Sequence, residues 1–318
     1  MAWGRPSVAY ALNDRDGIAF HEDYSVPRTL ALTTSSAGIP FMLAAMFVFS
    51  ANDALAKYLA ALCPVAQLLL IRNVGALAVI APKVHTYGWI AVTRVPRIWL
   101  HVLRCVLIVT ELALFYTAVW QIPLADTLTI YQATPIIATA LAVPLLGEQV
   151  GWRRWLAVVV GFFGVLLVVK PSGDGLSLAH LCALAGGVVY SGVILLTRLL
   201  RESGPVPMIA WHIGGTLLAS ALVAPFVWQP VSLVTMLLIA LMGVVSTGGH
   251  VLINRSLALS PASVVMPFHY TQIVWGVAFG WLFFHDAPDL RMLSGAALIV
   301  ASGLFIMHRE QVRARQGR

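Results

Sequence analysis

About ten apolar stretches, each close to the ~20 residues that an α-helix needs to cross a lipid bilayer, fill most of residues 38–308. They do not show the alternation of polar and apolar residues that is typical of a transmembrane β-barrel, so we predict an all-α membrane protein. The predicted membrane helices lie at about 38–60, 64–82, 98–120, 124–146, 152–170, 176–198, 205–227, 231–256, 262–284 and 290–308.

The composition excludes a soluble globular chain. Of the 318 residues, 59% are hydrophobic and 10% are charged, whereas soluble domains carry about 25% charged residues. The three cysteines, Cys63, Cys105 and Cys182, lack the CxxC spacing of a metal or redox site and are predicted to be buried thiols. We therefore expect no metal and no cofactor.

The positions of Lys and Arg predict the orientation in the membrane. With the N-terminus in the cytoplasm, the outer connections contain only Lys57, Lys170 and Arg291, and the other cations outside the spans lie on the inner side. Basic residues favour the cytoplasmic side, so we predict a multi-pass protein of the cell (inner) membrane with both termini inside. The net charge of +7 fits anionic lipid at the inner leaflet, and we expect no nucleic-acid partner.

The chain is internally duplicated with a shift of about 138 residues. Residues 122–126 then align with 260–264, and the apolar run 155–169 aligns with 293–307. Each half contains about five helices, so the second half must be inserted upside down relative to the first. We predict a cytoplasmic tail at 1–37, two repeats at 38–170 and 176–308, and a basic cytoplasmic tail at 309–318.

Several short motifs, taken in their order along the two halves, resemble the pattern of a known family. The first half contains Asp53-Ala54-Leu55-Ala56-Lys57, Leu69-Leu70-Ile71-Arg72, Ile122-Pro123-Leu124-Ala125 and Leu146-Gly147-Glu148, and the second half contains Pro267-Phe268-His269-Tyr270 and Gly280-Trp281-Leu282-Phe283-Phe284. Over most of 38–308 the pattern resembles the EamA family of the drug/metabolite transporter superfamily. His285-Asp286 stands where the second unit of that family usually has Gly-Glu.

The resemblance implies ten helices in two inverted five-helix repeats around a central cavity, and the transport of a metabolite. The motif on the first helix also resembles family members that import riboflavin or S-adenosylmethionine. Other members export amino acids and related metabolites, so the resemblance leaves the substrate and the direction of transport open.

Glu111 lies in the middle of the third predicted helix. A charge at the bilayer centre costs about 2.5–3.5 kcal/mol, so we expect this side chain to face protein or water rather than lipid. Arg104 lies two turns earlier on nearly the same face, and both side chains are predicted to point into one cavity. Glu111 either binds a cationic group or a proton, or serves as a structural partner of charges on other helices.

A shift of 138 or 139 residues places Glu111 at Gly249-His250 in the eighth helix. Histidine titrates in the physiological range, so Glu111 and His250 together are a hypothetical proton-coupling pair. A packing role for His250 is the alternative.

Other polar and aromatic residues inside the spans are candidate substrate ligands. Pro135 and Pro267 are predicted to interrupt or start the fourth and ninth helices and to leave backbone carbonyls free. Aromatic rings beside such a break suit a planar or cationic ligand. The remaining candidates on the first, fourth, sixth and ninth helices are Asn52, Tyr131, Tyr190, Tyr270, Gln272 and Trp275.

Three further charges have open roles. Asp53 and Lys57 stand at i and i+4 on the first helix and are predicted to neutralise each other, with substrate contact as the alternative. Arg72 either binds an anionic substrate or packs against an acid.

Enzyme and nucleotide-binding signatures are missing from the sequence, so we predict that the chain is not an enzyme. The favoured function is secondary transport of a small organic metabolite by alternating access, with proton coupling as one option. We expect the first, third, fourth, sixth, eighth and ninth helices to line the cavity. An integral membrane enzyme or a lipid flippase is the alternative. The expected partners are the metabolite and membrane lipid, and the expected state is a monomer or homodimer.

Overall fold

The structure, a computed structural model, describes residues 36–146, 151–169, 177–260 and 262–315, and the regular secondary structure in these ranges is helical throughout. Of the two predicted tails, the structure describes residues 36–37 and 309–315, and the remainder lies outside the described residues. The helices are α1 (Ile39–Ala60), α2 (Val65–Tyr87), α3 (Trp89–Thr93), α4 (Ile98–Gln121), α5 (Leu124–Tyr131), α6 (Thr134–Leu146), α7 (Trp152–Val169), α8 (Leu178–Leu199), α9 (Pro205–Val227), α10 (Leu233–Leu259), α11 (Ala262–Val265), α12 (Thr271–Phe284) and α13 (Leu290–Arg315). Short 3₁₀ helices cover Arg201–Ser203 and Met266–Tyr270.

Nine helical segments of the described chain are long and apolar enough to cross a membrane. They coincide with nine of the predicted spans and confirm the all-α, multi-pass fold. The predicted span at 262–284 is instead divided into α11, the 3₁₀ helix Met266–Tyr270 and the 14-residue α12.

The span at 124–146 is also divided, since α5 ends at Tyr131 and α6 begins at Thr134. Pro135 has no N–H group to donate to the carbonyl of Tyr131, and that carbonyl accepts a hydrogen bond from the hydroxyl of Thr134 instead. Pro267 lies in the 3₁₀ helix of the equivalent span. Both prolines therefore interrupt their spans, as predicted, and each repeat contains one broken helix.

Two helical segments differ from the predictions. The short α3 forms in a stretch predicted to be a connection, where the indole Nε1 of Trp211 donates to the carbonyl of Val92 at 3.0 Å and fixes α3 against α9. Helix α13 continues to Arg315, into the segment predicted to be a tail.

Helix packing follows the internal duplication. In the first half, α1, α2, α4, α5–α6 and α7 are the counterparts of α8, α9, α10, α11–α12 and α13. Helix α1 packs against α10 and α12, and its counterpart α8 packs against α4 and α6. Likewise α2 packs against α10 while α9 packs against α4, and the counterparts α2 and α9, and α7 and α13, pack against each other. Counterpart helices thus make counterpart contacts, as expected of two equivalent repeats. An odd number of spans in each repeat, five, means that the second repeat is inverted relative to the first.

Candidate substrate site between the two repeats

Glu111 lies in the middle of α4 and is 9% exposed. Its carboxylate is near three polar side chains from other helices, Arg72 on α2, Asp53 on α1 and Tyr131 at the end of α5, and interacts with them electrostatically. The carboxylate therefore faces charged and polar groups inside the bundle, not lipid. The free-energy cost of a charge at the bilayer centre predicted that Glu111 would face such groups.

Arg72 faces the same region and is incompletely paired. Its Nη2 is 3.4 Å from the hydroxyl of Ser246 on α10, while Nε and Nη1 are buried and have no hydrogen-bond partner in the described chain. No ion pair joins Arg72 to Glu111 or to Asp53 within the described residues. In the part of the chain that the structure describes, Arg72, Glu111 and Asp53 therefore lie in one region without a direct ion pair between them.

The two helix breaks meet in a hydrogen-bonded network. Gln132, at the α5–α6 break, donates to the side-chain oxygen of Gln272 at 3.0 Å, and the side-chain amide of Gln272 donates to Asp53 Oδ2 at 3.1 Å. His269 Nδ1 lies 3.3 Å from Gln132 Oε1, and Ser50 donates to the backbone carbonyl of Gln272 at 3.2 Å. The network connects α1 with both broken spans.

Tyrosines form one wall of the region around Glu111. The Tyr131 ring packs edge-on against Phe115 at 5.0 Å between ring centroids and lies 6.4 Å from the Tyr190 ring of α8. The Tyr131 hydroxyl is buried in the space that Gly186 leaves without a side chain, and it makes no hydrogen bond of regular geometry with a described residue. Tyr190 is 40% exposed, so its face is open to a ligand.

His250 and Asn52 lie beside this cluster without joining its hydrogen bonds. His250 is exposed, packs edge-on against Phe49 at 5.0 Å and interacts electrostatically with Arg72. Within the described chain it makes no hydrogen bond to Glu111, so their coupling stays a prediction. Asn52 is buried next to Asp53, and its Oδ1 has no partner among the described residues.

Two predicted ligands lie in apolar packing. The Tyr270 ring is buried with Ile273 and Met292, and its hydroxyl points at Gly303 of α13. Trp275 packs between α1 and α12, with its ring 5.0 Å from that of Phe47. The structure therefore does not bring these two residues together with Glu111. Tyr131 and Tyr270 both stand beside a helix break, but their hydroxyl groups point to different helices, α8 and α13.

The predicted Asp53–Lys57 pair is wrong. Asp53 accepts its hydrogen bond from Gln272, whereas the ammonium group of Lys57 is 2.7 Å from Asp286 Oδ2 and donates to the Ile122 carbonyl at 3.0 Å. It also lies 4.8 Å from the centre of the Phe284 ring. Lys57 therefore pairs with Asp286 of the other repeat and not with Asp53, its neighbour on α1.

The prediction that Arg104 shares a cavity with Glu111 is also not supported. Arg104 is 8% exposed; its Nε donates to the Thr197 hydroxyl at 2.9 Å and its Nη1 to the Met208 carbonyl at 3.2 Å. These bonds connect α4 to α8 and α9, so Arg104 has a structural position between helices.

Gln132 and His269, at the helix breaks, and Ser50 on α1 are members of the network that the sequence analysis did not select. The two at the breaks could have been found. Both stand within three residues of an interrupting proline, Pro135 or Pro267. Polar side chains so close to a break inside a span are the signal that would have identified them.

Comparisons with known proteins agree with this architecture. The family model of the EamA-like transporter family matches residues 36–170 and 177–308. A riboflavin transporter of Vibrio cholerae is 28% identical over 286 residues, which cover 88% of this chain and 96% of that protein. An S-adenosylmethionine uptake transporter of Rickettsia bellii is 25% identical over 285 residues, 88% of this chain and 97% of that protein.

Two further proteins extend the comparison. A pseudopaline exporter of Pseudomonas aeruginosa is 27% identical over 281 residues, covering 86% of this chain and 96% of that protein. A crystal structure that is 17% identical superposes with a TM-score of 0.58 and covers 85% of this chain and 96% of its own, which is a likeness in fold.

Proposed function

The chain belongs to the EamA-like transporter family, and from this membership we propose that it is a secondary transporter that moves a small organic metabolite across the cell membrane by alternating access. The names of two relatives support a substrate of the riboflavin or S-adenosylmethionine kind, and an amino acid is the further candidate from the family resemblance. The bias of basic residues toward one side supports an inner-membrane location with both termini in the cytoplasm.

The observation that carries the proposal is the incomplete pairing at the centre of the bundle. Arg72 has two buried nitrogens without partners, and Glu111 and Asp53 form no ion pair with it within the described chain. Leaving such groups unpaired in a membrane is costly, and a polar ligand would supply the missing partners. We assign the anionic group of a substrate to Arg72, and its cationic group, or a coupling proton, to Glu111.

The tyrosine wall and the helix breaks complete the proposed site. Tyr131 and Tyr190 offer ring faces for a planar or cationic part of the substrate. Asn52 and Gln272 contribute amide groups beside Asp53, and His250 stays a candidate partner of Glu111 in proton coupling. Tyr270 and Trp275 are left out of the proposed site because they pack in apolar clusters.

At the end of the bundle assigned to the outside, two contacts connect the repeats. One is the ion pair between Lys57 and Asp286. In the other, Gln67 Nε2 donates to the Gln229 carbonyl at 2.8 Å and the Gln229 N–H donates to Gln67 Oε1 at 3.0 Å. A ligand entering from this side must break contacts of this kind.

At the opposite end the repeats are connected in the same way. The Gly38 N–H donates to the Ser260 hydroxyl at 2.8 Å, the Ser256 hydroxyl donates to the Gly38 carbonyl at 2.7 Å, and His101 Nε2 lies 3.0 Å from the Ser203 hydroxyl. A net hydrogen bond contributes about 0.5–1.5 kcal/mol, so the polar contacts at each end contribute only a few kcal/mol. Ligand binding can supply a difference of that size, which supports alternating access.

Transport into proteoliposomes tests the proposal. We expect uptake of at least one of riboflavin, S-adenosylmethionine or a mixture of amino acids, measured with and without a pH gradient. Glu111→Gln should fold normally but lose transport by about tenfold or more, because a hydrogen bond to a charged group is worth about 1.5–3 kcal/mol. The control is Glu202→Gln, the same change at an exposed residue in the α8–α9 connection, which should transport like wild type. Equal transport by both variants at every pH would remove Glu111 from the mechanism.

A further inference from the structure

A large apolar groove lies apart from the polar centre, between α2, α3, α4 and α9. Its volume is about 970 Å³, and its walls include Ile80, Val84, Val106, Ala210, Gly214 and Leu218. Neither Arg72 nor Glu111 lines it. The proposed transport mechanism therefore does not use this groove.

The groove opens toward the lipid and matches one leaflet in depth. Val106 of α4 is 56% exposed and Leu218 of α9 is 64% exposed, although both lie within membrane spans. The lining residues of α4 run from Val102 to Thr110, a rise of eight residues or roughly 12 Å, within the half of the helix that begins at Ile98. Half of a bilayer's hydrocarbon core is about 15 Å thick, so the groove is about as long as one acyl chain in its leaflet.

The mouth of the groove is basic. Lys83, Arg94 and Arg97 are exposed at the end where α2, α3 and α4 meet, and none of them forms an ion pair with another described residue. The sequence contains no acidic residue between Lys57 and Glu111. A positive surface at the end of an apolar groove is complementary to a lipid with a negative headgroup.

The elements beside the mouth of the groove leave its net charge positive. The connection between α8 and α9 reaches the end of α2, because a side chain at Gly204 would lie 3.7 Å from the Tyr87 hydroxyl. That connection carries Glu202 but also Arg201, with Arg198 just before it, so the balance stays positive. Trp89 at the rim and Trp99 nearby are 71% and 64% exposed, as expected of tryptophans at a membrane interface.

We propose that this groove is a binding site for one anionic phospholipid of the phosphatidylglycerol class. One acyl chain lies along α9 between α2 and α4, and the headgroup phosphate lies at Lys83, Arg94 and Arg97. In the proposed orientation this is the cytoplasmic leaflet. The lipid fills a space between α2 of the first repeat and α9 of the second, so it braces the two repeats against each other.

Two matched glycine variants test the apolar part of the site. A Cβ atom added at Gly214 of α9 or at Gly248 of α10 meets nothing within 4 Å, so both backbone positions have room for a side chain. Only Gly214 lines the groove. Purified full-length protein is incubated with equal amounts of phosphatidylglycerol and phosphatidylcholine of the same chain length, and retained lipid is counted by native mass spectrometry. We expect one retained phosphatidylglycerol for wild type and Gly248→Leu, and at least a tenfold loss for Gly214→Leu.

A charge variant tests the headgroup part independently of packing. Replacing Lys83, Arg94 and Arg97 by glutamine should weaken phosphatidylglycerol retention by about fivefold for each cation removed, and should leave phosphatidylcholine unchanged. Thermal unfolding of each variant confirms that it is folded. Equal retention of the two lipids by wild type, or undiminished phosphatidylglycerol on folded Gly214→Leu, would overturn the proposal. Retention of an apolar solute but not of phospholipid would also overturn it.

Discussion

Replacing Gly243 by alanine should force α2 and α10 apart. The backbones of these helices touch at two glycines: a Cβ atom at Gly243 would lie 1.9 Å from the Arg72 carbonyl oxygen, and one at Gly75 would lie 2.0 Å from the Ala240 carbonyl oxygen. Real Cβ atoms essentially never approach a heavy atom closer than 3.0 Å. The helices would therefore have to separate by at least about 1.1 Å, the difference between 3.0 and 1.9 Å, because a backbone carbonyl cannot rotate away like a side chain.

The cost of this separation is that of an overpacked interface, about 1–3 kcal/mol. Alanine also has a helix propensity up to about 1 kcal/mol better than that of glycine, which would partly mask the cost. Gly248 on the same helix provides the matched control, because a Cβ atom there meets nothing within 4 Å. The propensity term is the same at both positions, so the difference between Gly243→Ala and Gly248→Ala isolates about 1–3 kcal/mol of packing.

The assay is thermal unfolding of the purified protein in detergent, followed by size-exclusion chromatography of the fraction still folded. We expect Gly243→Ala to unfold several degrees below Gly248→Ala, which should equal or exceed wild type. The added Cβ atom would push against the backbone carbonyl of Arg72, the residue proposed to bind the anionic group of the substrate. Gly243→Ala should therefore also raise the KM for the transported metabolite. If the two alanine variants unfold at the same temperature, α2 and α10 do not pack through glycine as described.

Three further predictions concern the outer contact and the central network. Asp286→Asn removes the ion pair with Lys57, and the buried thiol of Cys63 should then react faster with maleimide, as measured by peptide mass spectrometry. Burial raises the pKa of the Cys63 thiol, so the folded wild type should hold less thiolate at neutral pH than a free cysteine. The rate of Cys63 alkylation in folded protein should therefore begin to rise at a more alkaline pH than in denatured protein. Gln272→Leu removes the amide that donates to Asp53, and we expect about a tenfold higher KM and a lower unfolding temperature, because Asp53 and Gln132 lose their partner; an unchanged KM would exclude the network from binding.

The sequence predicts the spans well because bilayer thickness requires long apolar helices. It also predicts the two helix breaks, since Pro135 and Pro267 cannot donate the hydrogen bonds of a continuous helix. The short α3 is missed, because five residues held by a single indole bond from Trp211 leave no periodic pattern to detect.

The partners of charged residues are much harder to predict. Lys57 and Asp53 are one helical turn apart, but Lys57 pairs with Asp286, which is 229 residues away in the other repeat. A position beside a helix break does not fix the direction of a side chain either: Tyr131 faces α8 of the opposite repeat, whereas Tyr270 faces α13 of its own. Sequence spacing fixes the depth of a side chain in the membrane, whereas its partner depends on how the helices rotate against each other.

The hydrogen bond between Gln132 and Gln272 gives the proposed site a means to couple binding to movement. It joins the break of one repeat to the break of the other, and Gln272 also holds Asp53 of α1. A cationic group that binds Asp53 competes with the Gln272 amide for this carboxylate. Once the Gln272 side chain has lost Asp53, it can rotate and also lose its hydrogen bond with Gln132. Breaks held less tightly bend more easily, so occupancy of the centre would change the relative stability of the two closed ends. In this scheme the polar network must connect both broken helices, whereas a network that only stabilised the fold would have no reason to cross from one break to the other.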